Sequence, residues 1–306
     1  MEQQHDDLLG DAVEQLLAGI ATPAATRTVE AAGAGSEEAR AMWAEIEASG
    51  FCDALVPESL DGAGLGLRDA APVFEACGRH ALALPLGQTL AARALLGQAG
   101  AKAPAGPIAL GEGTATEVAV MWLVQPQSGA LELRDIGGAP LLSVKTDAEL
   151  RPLLATVLAA QMAGAMRQVM RLTLQYANDR VQFGRSIGRY QAIQHQLSVM
   201  AELTAAATMA ARLPCATDAT TPDPLRAAVA KARTSAVAGP LAAMAHAVHG
   251  AIGMTEEHDL QLLTRRLQAW RVAAGTESYW HQRIGSALLV SGTSIPVFVR
   301  ETLLPA

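Results

Sequence analysis

The feature that most limits the fold is a long apolar stripe that ends in a charged, glycine-bearing corner. From Leu153 onward, Leu154, Val157, Leu158, Met162, Met166, Val169 and Leu172 keep to three-and-four spacing, which predicts one long helix with a buried face. Gly184 and Gly188 then loosen the chain, and a new helix starts near Tyr190. Its stripe is Tyr190, Ile193, Leu197 and Met200, with Gln191, Gln194 and Ser198 on a neighbouring face. The corner between the helices therefore presents Arg180, Gln182, Phe183 and Arg185 together. Arginine pairs bidentately with phosphate, phenylalanine offers a ring face and amides both donate and accept, so a nucleotide cofactor suits the cluster. A plain helix-to-helix corner with solvated arginines suits it as well, and composition alone favours that plainer reading.

A chain of 306 residues can bury a sizeable core and hold two or three domains. Half of it is hydrophobic but only 4% is aromatic; alanine and leucine supply most of the apolar fraction, and both favour helix. A net charge of -7 with no basic block argues against a nucleic-acid partner, which needs a face that neutralises phosphates. Cys52, Cys77 and Cys215 are odd in number and far apart, so they read as reduced thiols, without metal-ligand spacing. The start, MEQQHDDLLG, has no apolar signal core, and no run of some eighteen apolar residues occurs. The expectation is a soluble, cytoplasmic protein with no membrane span.

Taken in order, Leu9, Val13, Leu16, Leu17 and Ile20 predict an amphipathic first helix over 6–20, and a second runs from Ser36 to Ser49, where Gly50 stops it. SLDGAGLGL follows. It lacks both a lysine and a preceding buried strand, so it reads as a structural turn ahead of a helix over 68–77 rather than a phosphate loop. A helix over 86–98 closes an N-terminal helical domain, 1–104, before the linker GQAGAKAPAGP. Short strands over 118–124, 130–134 and 140–144, parted by turns at 126–129 and 137–138, make a small middle β segment, 105–150. It is less than half of a free-standing sandwich of roughly 100 residues. The remainder, 151–306, predicts a four-helix bundle: two helices flank the corner, a third begins at Asp223-Pro224 and bends at Gly239-Pro240, and a last one starts near Thr276. The fold class is mainly α.

His246 and His249 lie three apart but have no third metal ligand nearby, and they read as polar residues of a helix end. No GxSxG elbow occurs, and no cysteine has a histidine beside it.

Three ordered segments resemble those of the acyl-CoA dehydrogenase family: RVQFGRSIGRYQAIQHQ, HAVHGAIGMTEEH and, near the end, Ala273-Ala274-Gly275-Thr276; the N-terminal stretch WAEIEASGFCDALVPESLDGAGLGLRDAAPVFEACGR is similar as well. The resemblance implies FAD held between two subunits, with Arg180, Gln182 and Phe183 reaching the cofactor of the neighbouring chain. Gln191, His246, His249, Gly250 and Thr276 complete the cofactor set that it implies. It implies at least a homodimer or homotetramer, an acyl-CoA thioester substrate, and an electron-transfer flavoprotein as electron acceptor.

The sequence departs from the family in two ways. Its middle segment is short and has no counterpart of the Thr-Glu-Pro flavin-contacting stretch. The glutamate that removes the substrate α-proton is replaced by Ala274, and the other family position for that base is Leu154. Glu277, one turn from Ala274, and Glu149 are the candidate substitutes. Three readings follow from the resemblance. One is an acyl-CoA dehydrogenase with an unusual base; another is a non-catalytic subunit of a heteromer with a full-length acyl-CoA dehydrogenase. The third is a flavin-dependent hydroxylase of the same fold, which would not need that glutamate.

Overall fold

The computed structural model describes residues 2–111, 118–126 and 129–304. Three helices open the chain: α1 (Glu2–Ile20), α2 (Pro23–Ala32) and α3 (Glu37–Ala48). The Thr22 and Ser36 hydroxyls cap α2 and α3 by accepting from the Ala25 and Ala39 amides. The glycine-rich stretch is indeed a turn that delivers the chain into α4 (Leu67–Arg79), where the Gly66 amide donates to Asp69 at 3.0 Å. In α5 (Leu86–Gln98) every residue from Leu86 to Gly97 is buried, as expected for a helix surrounded by protein on all sides.

The middle segment is a four-stranded sheet: β1 (Ile108–Leu110), β2 (Met121–Val124), β3 (Leu131–Asp135) and β4 (Pro140–Val144), in that order. β1 runs parallel to β2 and the other pairs are antiparallel, with Leu123 opposite Leu133. Sequence patterning gives three of these strands and misses β1. Three residues are too few to show alternation, and β1 is fixed by tertiary bonds instead. The Ile108 amide donates to the Thr89 hydroxyl, which donates back to the Ile108 carbonyl, and the Leu110 amide donates to Gln88 of α5. The turn expected at 126–129 lies in part outside the described residues.

α6 (Leu150–Asp179) is the spine of the molecule, with Pro152 to Met166 buried without a break. Each large apolar side chain so buried contributes about 1.5–3 kcal/mol. After it come the short pair β5 (Val181–Gln182) and β6 (Arg185–Ser186), then α7 (Gln191–Arg212), α8 (Pro224–His249), α9 (Leu260–Val272) and α10 (Glu277–Ser291). α6 packs on α4, α7, α8 and α9, while α10 lies on α8. Asp223 caps α8 through the amides of Leu225 and Arg226, and the helix continues across Gly239 and Pro240 as one element.

Two helices absent from the sequence reading are present. α2 is ten residues with only Thr26 and Val29 buried, too little for a periodic signal, and α9 sits in a charged stretch whose buried side includes Arg266. Among the described residues, the bundle region thus carries the shorter α9 beside the helices α6, α7, α8 and α10.

α4 and α6 meet at backbone contact. A Cβ on Gly78 would stand 1.8 Å from the Gln161 carbonyl oxygen, and one on Gly164 would stand 1.9 Å from that of Glu75. Both α6 and α8 contain stretches long and apolar enough to cross a membrane by composition; in α6 that stretch is 83% buried inside the protein.

Candidate functional site

The corner after α6 is a two-residue hairpin. Val181 pairs with Ser186 and Gln182 with Arg185, leaving Phe183 and Gly184 at the tip with φ of 51° and 82°. Tight hairpins need positive φ at both central residues, for which Asn-Gly is preferred. A bulky aromatic there is strained. Phe183 is moreover 92% exposed and touches its own chain only edge-on, 6.5 Å from the Tyr190 ring. An apolar ring held in a costly backbone conformation and turned into solvent contributes nothing to its own protomer.

The base of the hairpin, by contrast, is braced. The Ile187 amide donates to the Arg180 carbonyl, the Tyr190 hydroxyl donates to the Gln182 carbonyl, the Arg185 guanidinium lies 4.2 Å over the Tyr190 ring, and Gln194 donates to the Gly188 carbonyl. Arg180, Gln182 and Gln191 are all exposed on this corner.

The ends of α6 and α8 meet behind it. Tyr176, whose carbonyl accepts from the Arg180 amide, stacks on His249 with centroids 4.4 Å apart, and His258 closes on His249 at 4.6 Å. His249 Nδ1 bonds the Ala245 carbonyl and His246 Nε2 bonds Thr264, which leaves His249 Nε2 and His246 Nδ1 buried without partners. Burial holds both imidazoles below the ordinary histidine pKa, and so neutral at pH 7. No group of three or more metal-ligating side chains forms among the described residues. Gly250, at φ 66°, turns the chain out of α8. Thus Arg180, Gln182, Phe183, Gln191, His246, His249 and Gly250 cluster at one end of α6.

Thr276 does not join them. It precedes α10 beside Ala274, and that segment packs at the opposite end of α6: Trp280 and Ala274 belong to one cluster with Ala155, Ala228 and Ala232, and Arg151 lies 5.1 Å over the Tyr279 ring. Leu154 is there too, facing Gly111 at the edge of the sheet. Along α6 the distance from Leu154 to Arg180 is about 39 Å at 1.5 Å per residue. The corner and the Ala274 loop therefore stand at opposite ends of the spine within one protomer.

Of the two carboxylates near that second end, Glu277 accepts from Arg271 Nε at 2.5 Å, whereas Glu149 is exposed ahead of α6. What lies beneath the Ala274 loop is a cation. Lys231, fully buried on α8, donates to Ser235 Oγ and to the Arg271 carbonyl at the end of α9, both at 2.9 Å. Burial pushes its pKa down to about 7, opposed by Glu277 and reinforced by Arg271. Sequence spacing gave no hint of it, because Lys231 and Arg271 are on separate helices.

A mainly helical protomer thus carries an outward aromatic finger at one end of its spine and the Ala274 loop at the other. Comparisons with known proteins give its family. The family model for the acyl-CoA dehydrogenase C-terminal domain matches residues 154–289. The chain is 33% identical over 292 residues to the acyl-CoA dehydrogenase IpdE2 of Mycobacterium tuberculosis, covering 85% of this chain and 89% of that one. Among solved structures it is similar to a Tcur3481-Tcur3483 steroid ACAD variant, with a TM-score of 0.78, 21% identity and coverage of 96% and 100%. It is also similar to the ChsE4-ChsE5 complex of Mycobacterium tuberculosis, with a TM-score of 0.77, 20% identity and coverage of 93% and 97%. The chain belongs to the acyl-CoA dehydrogenase family, whose members are oxidoreductases with FAD as cofactor. The exposed ring of Phe183 and the unpartnered imidazole nitrogens behind it fit such a group approaching from outside the protomer.

Proposed function

We propose that this chain is the non-catalytic partner subunit of a heteromeric acyl-CoA dehydrogenase. In that role it lends its corner to the flavin site of a full-length subunit. The observation that carries the reading is the state of the two base positions: Ala274 and Leu154 bear no acid, and Glu277 is held by Arg271. α,β-Dehydrogenation of an acyl-CoA thioester needs a base within reach of the α-proton. FAD, when bound, accepts the hydride from the β-carbon. Phe183 would offer its ring face to that cofactor, Arg180 and Gln182 would donate to its diphosphate and heteroatoms, and Gln191, His246, His249 and Gly250 would line the approach. Thr276 would face the other composite site, near the Ala274 loop.

The names of two fold neighbours, Tcur3481-Tcur3483 and ChsE4-ChsE5, each join two chains, which supports a heteromer. We assign the active assembly to the cytoplasm, with electron-transfer flavoprotein as its oxidant. Within the chain we propose division into an N-terminal helical domain, 1–104, a shortened β segment, 105–150, and a bundle, 151–306.

The test is to express the chain alone and together with its genomic neighbour, record the visible spectrum and assay acyl-CoA oxidation with an artificial electron acceptor. The expected result is a colourless, inactive protein alone and a yellow, active complex together. A yellow, active homomer would return the chain to the self-sufficient dehydrogenases.

A further inference from the structure

A second polar site lies on the far side of α4. A cavity of about 580 Å³ opens between α1, α4, α6 and the end of α7, lined by Arg68, Arg79, Arg167 and Arg212 together with Asp11, Glu14 and Glu75. Its volume is within the range of small-molecule sites. At its centre Glu75 is buried and accepts from two guanidiniums, Arg167 Nη1 at 2.9 Å and Arg212 Nε at 3.3 Å. The floor is rigid, because α4 and α6 are in backbone contact where Gly164 meets Glu75 itself and where Gly78, one turn on, meets Gln161.

The peripheral arginines each have a carboxylate partner, Arg79 in Glu14, which also meets His80, and Arg68 in Asp218. The central pair differs. Two positive charges share one carboxylate, and among the described residues neither Arg167 nor Arg212 makes another hydrogen bond. A guanidinium has five N–H donors, so this pair has donors to spare beyond those spent on Glu75, and both side chains line the cavity. A buried acceptor that orients two donors outward is an arrangement suited to an oxyanion, with Asp11 and Glu14 confining it to the Arg167–Arg212 end. Ala71, Pro72 and Ala216 supply an apolar wall for the remainder of a ligand.

The cavity is distinct from both ends of the spine: Arg167 is about 20 Å along α6 from Arg180 and about 20 Å from Leu154. We propose that this cavity binds a small molecule carrying a diphosphate group, with Arg167 and Arg212 each engaging phosphate oxygens and Glu75 positioning both.

The test is calorimetric titration of the full chain with ADP, inorganic pyrophosphate and AMP. Saturable binding of ADP or pyrophosphate is expected, at least about tenfold tighter than AMP, and the doubly substituted R167Q/R212Q protein should lose at least about tenfold in affinity. If ADP binds and pyrophosphate does not, the ligand is a nucleotide; if both bind, the diphosphate suffices. K102Q should bind as the parent does, since Lys102 pairs with Asp61 outside the cavity. No saturable binding of ADP or pyrophosphate, AMP as tight as ADP, unchanged affinity in R167Q/R212Q, or an equal loss in K102Q would each overturn the assignment. Should the double variant not fold, R212Q decides on the same criterion, because Arg212 is 64% exposed and its replacement leaves the core intact. The colour and turnover of a co-expressed complex do not bear on this site.

Discussion

Lys231 makes the stability of this protein depend on pH in an unusual window. The amine is fully buried, and burial lowers its pKa from 10.5 to about 7. Above about pH 10.5 it is neutral in folded and unfolded chains alike. Between about 7 and 10.5 the unfolded chain binds a proton that the folded chain does not, so unfolding takes up a proton and stability rises with pH. Below about 7 both states are charged and the dependence ends. At about 1.4 kcal/mol per pH unit, the whole window corresponds to about 5 kcal/mol.

Lys231→Met removes the titration while keeping much of the volume. It deletes two hydrogen bonds, but Ser235 Oγ still donates to the Arg271 carbonyl at 3.1 Å, so the loss should be about 1–2 kcal/mol. Urea denaturation of both proteins at intervals from pH 6.5 to 9 measures the difference. The variant should match or exceed the parent near pH 6.5, and the parent should gain about 2–3 kcal/mol relative to it between pH 7 and 9. A stability difference that stays constant across the series would show that the amine is not desolvated as described.

Other expectations follow from the same geometry. Gly164→Ala should cost about 2–3 kcal/mol by forcing α4 away from α6, read as a lowered denaturation midpoint, whereas Gly285→Ala, where a Cβ meets nothing, should cost none. In the co-expressed complex, Phe183→Ala should weaken flavin retention on gel filtration by about tenfold while leaving the melting temperature of this chain alone unchanged, because the ring is 92% exposed and takes no part in the core. Glu277→Gln should leave the turnover of the complex within about twofold of the parent, since that carboxylate is engaged with Arg271; loss of activity would restore it as a base.

Much of this was legible in the residues because it is local. The corner is contiguous, so Arg180, Gln182 and Phe183 fall together from spacing, whereas Ala274 beside Gly275-Thr276 stands out only through the family resemblance. Helix caps at Ser36, Asp223 and Thr22 work within three residues, though only the second was read as such. What stayed hidden depends on distant chain segments meeting. β1 owes its place to Thr89 and Gln88, the histidine stack needs Tyr176 from another helix, and the arginine cavity gathers positions 68, 79, 167 and 212. The separation of Thr276 from Arg180 followed only from seeing α6 run straight between them, because the segments share a family role without sharing a location.

The braces at the root of the β5–β6 hairpin bear on how an assembly would form. Bonds from Tyr190, Ile187 and Gln194 set the direction of the tip before any other chain arrives. Docking would then involve little ordering of this element, and the encounter could proceed as rigid-body capture. Complex formation should accordingly show a weak temperature dependence of its on-rate and no slow refolding phase traceable to this loop.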